Sequence, residues 1–317
     1  MDTVALRLAV RTPFGLFATA VSHGWYQTLP FRWLPQRAVL QRAERLRDGR
    51  IMLVEMAEAK SRKRRYKDVV VTLRGSGAGD PGVAAEIARR CAVMLHLDED
   101  LSGFYALCER RAQLRSALLA GAGRCMRASS LWEDVVKTIL GTNTLWRQAV
   151  VMINRLCRLG PACPAEVALH AWPTPSEVIA AGTQYLRDDV RAGYRARYII
   201  ALAEQVESGQ LDLDVLDARA PALSSHELFR LLLSLPGVGK SSAHFLMNLL
   251  GHYDHISIDS ATYAYATRAL FRGKRPSEQQ IRRRFARFGK WQSLVYWFTR
   301  WTPRLAWWED AAGRAGS

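Results

Sequence analysis

One carboxylate and one pair of glycines stand at a spacing that could do chemistry together. Asp259 lies in Ser257-Ile258-Asp259-Ser260, at or just before a helix start. Upstream of it, Leu235-Pro236-Gly237-Val238-Gly239 separates two apolar runs at helical spacing, residues 228–235 and 240–251. Gly237 and Gly239 allow a tight turn and leave their N–H groups open to an approaching anion. The helix that follows, opened by Lys240 and Ser241, adds unpaired N–H groups and the positive end of a dipole. A hairpin of this kind can grip a phosphate. A carboxylate held beside it can stabilise developing positive charge and orient or deprotonate a water. Each feature alone has a plainer reading: an ordinary helix–helix turn for the glycines, a simple N-cap for Asp259. Asp254 is the other nearby acid, but it falls in the loop.

The composition fits a polyanionic partner. The formal charge is +16, with a pI near 10.1, and acid-poor surface of this kind suits nucleic acid. Basic clusters occur at residues 60–67 and 282–284; the first could equally be a solvated loop. The five cysteines, Cys91, Cys108, Cys125, Cys157 and Cys163, have no metal-ligand spacing, and their odd number points to reduced thiols. No apolar run reaches the ~20 residues of a membrane helix, and no targeting segment stands out. The expectation is a cytoplasmic monomer with no membrane role.

The elements that must position these residues fall into two parts, an α+β organisation. Residues 1–108 read as a sheet domain: an alternating strand over residues 4–10, a hairpin of residues 39–46 and 51–56 turning at Asp48-Gly49, a β-branched strand over residues 69–73, and a helix over residues 83–97 burying Ile87, Cys91, Met94 and Leu95. Residues 109–309 read as all-helical, with the two-helix hairpin at 224–251 and a flexible tail at 310–317. Leu131, Trp132, Val135, Val136, Ile139 and Leu140 line one face of a core helix. Gly141-Thr142-Asn143-Thr144 then interrupts it and puts Asn143 on a tip. Residues 193–199 carry tyrosines at Tyr194 and Tyr198, and Trp291, Trp297, Trp301, Trp307 and Trp308 crowd the C-terminal part. Such stripes are most often core.

Leu-Pro-Gly-Val-Gly-x-x-x-Ala over residues 235–243, followed by Ile258-Asp259, resembles the helix-hairpin-helix DNA glycosylase superfamily. The N-terminal order of strands, hairpin and helix, with residues 97–105, is similar to the inducible 3-methyladenine glycosylases. Gly193-Tyr194-Arg195-Ala196-Arg197-Tyr198 looks like the 8-oxoguanine branch. The resemblance implies an antiparallel sheet domain followed by an all-α helix-hairpin-helix glycosylase domain, acting on double-stranded DNA that contains a damaged base. It implies Asp259 as the catalytic carboxylate and Gly237, Val238, Gly239, Lys240 and Ser241 as the DNA grip. Tyr194 would wedge into the duplex, Arg195 would recognise the orphaned base, and Asn143 would fill the gap. Backbone carbonyls of Leu233, Leu235 and Val238 would hold a Na+ or K+ ion; no cofactor is required. The iron–sulfur loop of some members is absent, since no cysteine follows Cys163. Strand-nicking relatives carry a lysine where Ser241 stands, which implies a monofunctional enzyme with water as nucleophile. Loss of that lysine and the aromatic enrichment favour an alkylated purine such as 3-methyladenine. A glycosylase for an oxidised or deaminated base, or a non-catalytic damage-binding protein, is the alternative. One or two of the C-terminal rings are expected to wall the base pocket, in a protein associated with the nucleoid.

Overall fold

The computed structural model describes residues 2–62 and 65–301. Lys63 and Arg64 of the basic loop, Trp307 and Trp308, and the 310–317 tail lie outside the described residues. Strands β1 (Asp2–Arg11), β2 (Phe31–Leu34), β3 (Val39–Arg45), β4 (Ile51–Lys60) and β5 (Tyr66–Gly75) form an antiparallel sheet in the order β1-β5-β4-β3-β2. Gly49, with φ of 86°, turns β3 into β4 as Asp48-Gly49 predicts. Strand β2 has no counterpart in the sequence reading, because Phe31-Arg32-Trp33-Leu34 is too short to show alternation.

Helices α1 (Leu16–Ala20) and α2 (Pro81–Leu95) belong with the sheet; α3 (Ser102–Glu109) and α4 (Arg115–Leu119) lead away from it. Asp80 caps α2 through Gly82 N–H, and Val83, Ile87, Cys91, Met94 and Leu95 are buried. Then come α5 (Leu131–Leu140), α6 (Trp146–Cys157), the ribbon β6 (Ala162–Cys163) and β7 (Glu166–His170), α7 (Pro175–Asp188), α8 (Arg195–Glu207) and α9 (Leu213–Arg219). The hairpin is α10 (Ser225–Leu233) and α11 (Lys240–Leu249), followed by α12 (Ser260–Tyr265), α13 (Glu278–Ala286) and helical residues 292–301. Ser224 and Glu227 cap α10 reciprocally, and left-handed Gly251 follows α11. The main apolar core runs from Val10 of the sheet through α5 to Trp301, and a small second cluster of Ala43, Leu53, Cys163 and Leu169 joins the sheet to the β6–β7 ribbon.

Helix α5 departs from its predicted one-sided pattern: all ten residues are buried, Glu133, Asp134 and Lys137 included. The sheet supplies the partners that a buried charge needs. Arg42 of β3 grips Glu133 at 2.6 and 3.1 Å, and the Lys137 ammonium lies 2.7 Å from the same carboxylate. That ammonium also lies over Phe31, Trp172 and Trp25, 5.1–5.7 Å from the ring centroids. Burial pushes the Glu133 pKa up, but Arg42 and then Lys137 outweigh it and hold the carboxyl below its usual range. Asp134 accepts from Trp25 Nε1 at 2.8 Å and from Ala128 N–H at 2.9 Å. The helix that ends at the Asn143 loop is thereby fixed to the sheet by charge as well as by packing.

Candidate active site

Most of the predicted residues line one cleft of about 1150 Å³; Arg195, Leu233 and Leu235 do not. The hairpin residues Gly237 to Ser241, the helix start Asp259 to Thr262, and the pair Asn143 and Tyr194 all line it. Gly237 has φ of 78°, and a Cβ there would lie 2.8 Å from Tyr198 Cβ, so the turn requires glycine. Its geometry is closed by Val238 N–H donating to the Leu235 carbonyl at 3.1 Å. Gly239 occupies the N-cap of α11 without a side-chain cap. Nothing lies within 4 Å of where its Cβ would be, so the first N–H groups of α11 open to the cleft. Lys240 is exposed beside them.

Ser241 faces Ser257, with its hydroxyl 3.0 Å from the Ser257 hydroxyl, which in turn donates to the Ser241 carbonyl at 2.9 Å. This ties the hairpin to the strand-like segment that delivers Asp259. Asp259 is an N-cap, as the plain reading holds: its Oδ1 accepts from the Thr262 N–H and hydroxyl, each at 2.7 Å. Among the described residues its Oδ2 has no partner. Capping consumes one oxygen and leaves the other to the cleft. Asp254 is turned elsewhere, accepting from Ser225 at 2.7 Å and lying 2.9 Å from His255 Nδ1.

Asn143 stands in the left-handed region, φ 46°, and its side-chain amide donates to the Tyr194 hydroxyl at 3.1 Å. Tyr194 is 45% exposed at the N-cap of α8 and meets Tyr198 edge-on at 6.3 Å. Asn143 and Tyr194 form one exposed unit.

Arg195 takes a position that its motif does not predict. It is 7% exposed and turned inward, donating to the Thr142, Asn143 and Ala192 carbonyls, the last two at 3.2 and 3.3 Å. Its guanidinium also lies 4.8 Å from the Tyr194 ring centroid. A guanidinium spent on backbone carbonyls is not presented to a base. It fixes the loop on which Asn143 stands, a role that the motif's position alone did not reveal.

An aromatic wall, absent from the sequence reading, comes from residues 22–27. Trp25 stacks on Trp146 at 6.2 Å and meets Phe245 edge-on at 5.7 Å. Gly24 makes room: a Cβ there would lie 2.1 Å from the Trp146 ring. His23 is edge-on to Trp25 and Phe245; burial first, then Lys137, lower its pKa to about 4 against a bond to the Met126 carbonyl, so the ring is neutral at pH 7. The available signal was Gly24 among aromatic residues, outside any helix or strand period. Of the C-terminal rings, Trp297 and Trp301 line the cleft, whereas Trp291 stacks on Tyr253 in the core. His244 is likewise core, sandwiched between Phe229 and His255 at 4.7 and 5.4 Å, and Gln148 accepts from Thr144 at 3.0 Å.

No protein-family model matches the sequence, and no curated protein matches it. Solved structures do match its fold. The 3-methyladenine DNA-glycosylase from Archaeoglobus fulgidus is 17% identical, with a TM-score of 0.70 over 94% of this chain and 98% of its own. The Clostridium acetobutylicum 8-oxoguanine glycosylase/lyase in its apo-form is 16% identical, with a TM-score of 0.68 over 95% and 96%. MBOgg1 bound to a low-affinity DNA ligand is 17% identical, with a TM-score of 0.68 over 96% and 100%. With a five-stranded antiparallel sheet followed by helices that present a glycine hairpin and a capped aspartate to one cleft, the chain has the fold of the helix-hairpin-helix DNA glycosylases.

Proposed function

We propose that the chain is a monofunctional DNA N-glycosylase that extrudes and hydrolytically removes an alkylated purine, with 3-methyladenine as the type substrate. The observation that carries this reading is the Asp259 Oδ2, which has no partner among the described residues, in an aromatic-walled cleft where Ser241 stands in place of an amine. A base cannot be cut from its sugar inside the stack, so the nucleotide must leave it, at a cost of a few kcal/mol. Hairpin N–H groups and Lys240 hold the backbone, while Tyr194 and Asn143 occupy the gap. Breaking the C1′–N bond leaves an oxocarbenium-like sugar, and Asp259 stabilises that charge and orients the attacking water. A cationic alkylpurine needs little help to depart, and electron-rich rings that line the cleft, such as Trp146 and Trp297, favour it. Neutral His23 adds no opposing charge.

The carbonyls of Leu233, Leu235 and Val238 are neutral oxygen donors, with the Leu235 oxygen already accepting one N–H. Such a set fits a monovalent Na+ or K+ ion, which would add positive charge at the phosphate. The partner in this reading is damaged double-stranded DNA and the protein works as a monomer at the nucleoid.

The test is a panel of single-lesion duplexes with and without alkaline work-up. Alkylpurine duplexes should break only after alkali, because the product is an intact abasic site, and borohydride should trap no adduct. Strand cleavage without alkali, with a trapped adduct through Lys240, would overturn the monofunctional assignment. Selective action on an oxidised or deaminated base would favour the other glycosylase reading.

Arg195 is a positioning residue in this scheme. Arg195→Ala should slow excision about 10- to 100-fold, the usual effect of small misplacements, and leave the preference for the opposite base unchanged. A shifted preference at a near-native rate would return Arg195 to a base-reading role.

A further inference from the structure

We propose that Tyr296 and Arg300 act on the reaction through Thr262, as positioning residues that set which oxygen of Asp259 faces the sugar. The inference rests on the reading of Asp259 as the catalytic carboxylate. Three polar groups form a chain behind it, with a side branch from Thr262 to the Ser257 carbonyl. Arg300 Nη1 donates to the Tyr296 phenol oxygen at 2.8 Å. That oxygen lies 2.8 Å from Thr262 Oγ1, which lies 2.7 Å from Asp259 Oδ1.

Proton counting fixes the direction. A guanidinium only donates, so the Tyr296 oxygen accepts from Arg300 and gives its own proton to Thr262. The Thr262 hydroxyl has one proton and two acceptors, Asp259 Oδ1 at 2.7 Å and the Ser257 carbonyl at 3.1 Å. The nearer and charged acceptor wins. A donated proton from Tyr296 strengthens that bond by polarising the hydroxyl. The Thr262 N–H also ends on Oδ1, so both donors are spent on one oxygen and Oδ2 is held toward the cleft.

Burial makes the chain rigid. Thr262 and Tyr296 are each 1% exposed, and the Tyr296 ring is wedged between Phe285 and Tyr265 at 5.4 and 6.2 Å. Arg300 lines the cleft and has no carboxylate partner among the described residues, so its charge is directed at the phenol. Neither Tyr296 nor Arg300 is needed to hold the helix cap itself, since Thr262 closes it alone: its N–H donates to Asp259 Oδ1 and its hydroxyl oxygen accepts from the Asp259 N–H at 3.3 Å.

The experiment is a double-mutant cycle on excision under single turnover, with binding to a duplex carrying an abasic-site analogue measured alongside. Tyr296→Phe should slow excision about 10- to 100-fold, the size of one charge-assisted hydrogen bond lost, and leave binding within about twofold. Thr262→Ser should retain the rate and Thr262→Val should lose it. Arg300→Met, at a partly exposed position, should move the rate in the same direction by less. In the Asp259→Asn background, Tyr296→Phe should have no further effect, because the two act as one unit. A Tyr296→Phe or Arg300→Met protein of native melting temperature that excises at the wild-type rate overturns the proposal. So does a Tyr296→Phe effect that adds in full to Asp259→Asn. If Asp259→Asn itself retains excision, the catalytic assignment fails instead, and the two failures are distinguishable.

Discussion

Asp259→Asn should lower base excision about 10²- to 10³-fold, the effect of removing one preorganised electrostatic stabiliser, roughly 3–4 kcal/mol. Binding to a stable abasic-site analogue should change little. The substitution is suited to the question because asparagine caps a helix about as well as aspartate. It can accept the same Thr262 N–H and hydroxyl that Asp259 Oδ1 accepts. Were the residue only a cap, stability would move by about a few tenths of a kcal/mol and excision would persist. The readings therefore differ in which quantity moves. A lesion such as an N7-alkylated guanine carries its own activating charge and blunts the effect, so a neutral lesion such as hypoxanthine belongs in the comparison. Near-native excision of both by the variant removes Asp259 from the mechanism.

The largest stability effect should come from Glu133→Ala. It leaves the Arg42 guanidinium and the Lys137 ammonium buried around an empty acceptor site, and breaking a buried ion pair from one side costs about 3–5 kcal/mol. Urea denaturation should show that loss, and Glu133→Leu combined with Lys137→Met should recover part of it by removing charges together. A loss below about 1 kcal/mol would mean that the remaining Arg42–Glu44 pair carries the site alone. The pH dependence has a definite sign. The folded-state pKa of Glu133 lies below its ordinary value, so its stabilising contribution is complete above the ordinary glutamate pKa of about 4.3. It is lost as pH falls below that through the lower folded value. Because α5 leads directly into residues 141–144, the Ala variant should also excise more slowly at temperatures below its transition.

The hairpin and the Asp259 cap were legible because local rules determine them: glycine where φ is positive, a carboxylate where N–H groups begin. The helix α2 and strands β3, β4 and β5 were legible for the same reason, since their periods are written in adjacent residues. What was not legible depends on contacts distant in sequence. The charges of α5 read as a polar face until Arg42, ninety-one positions away from Glu133, is placed against them. Arg195 read as a base contact because its neighbours match a motif, whereas two of its three backbone acceptors, Thr142 and Asn143, stand on a loop 53 and 52 positions away that no periodicity locates. Residues 22–27 form no helix or strand period to mark them, and only the cleft shows why Gly24 must be small.

The continuity of the core has a mechanical consequence. One apolar cluster extends from the sheet through α5 to the C-terminal helix, and the buried Arg42–Glu133 ion pair fastens β3 to the helix that ends at the Asn143 loop. Walls joined in this way resist closing like jaws, since packed interiors yield little. In the proposed reaction the duplex is then the compliant partner and the protein the anvil. The work of bending, about 1–6 kcal/mol for a smooth bend of 40–90°, falls on DNA whose stacking a lesion has already weakened. Discrimination would begin in the stiffness of the DNA itself, before any base reaches the cleft.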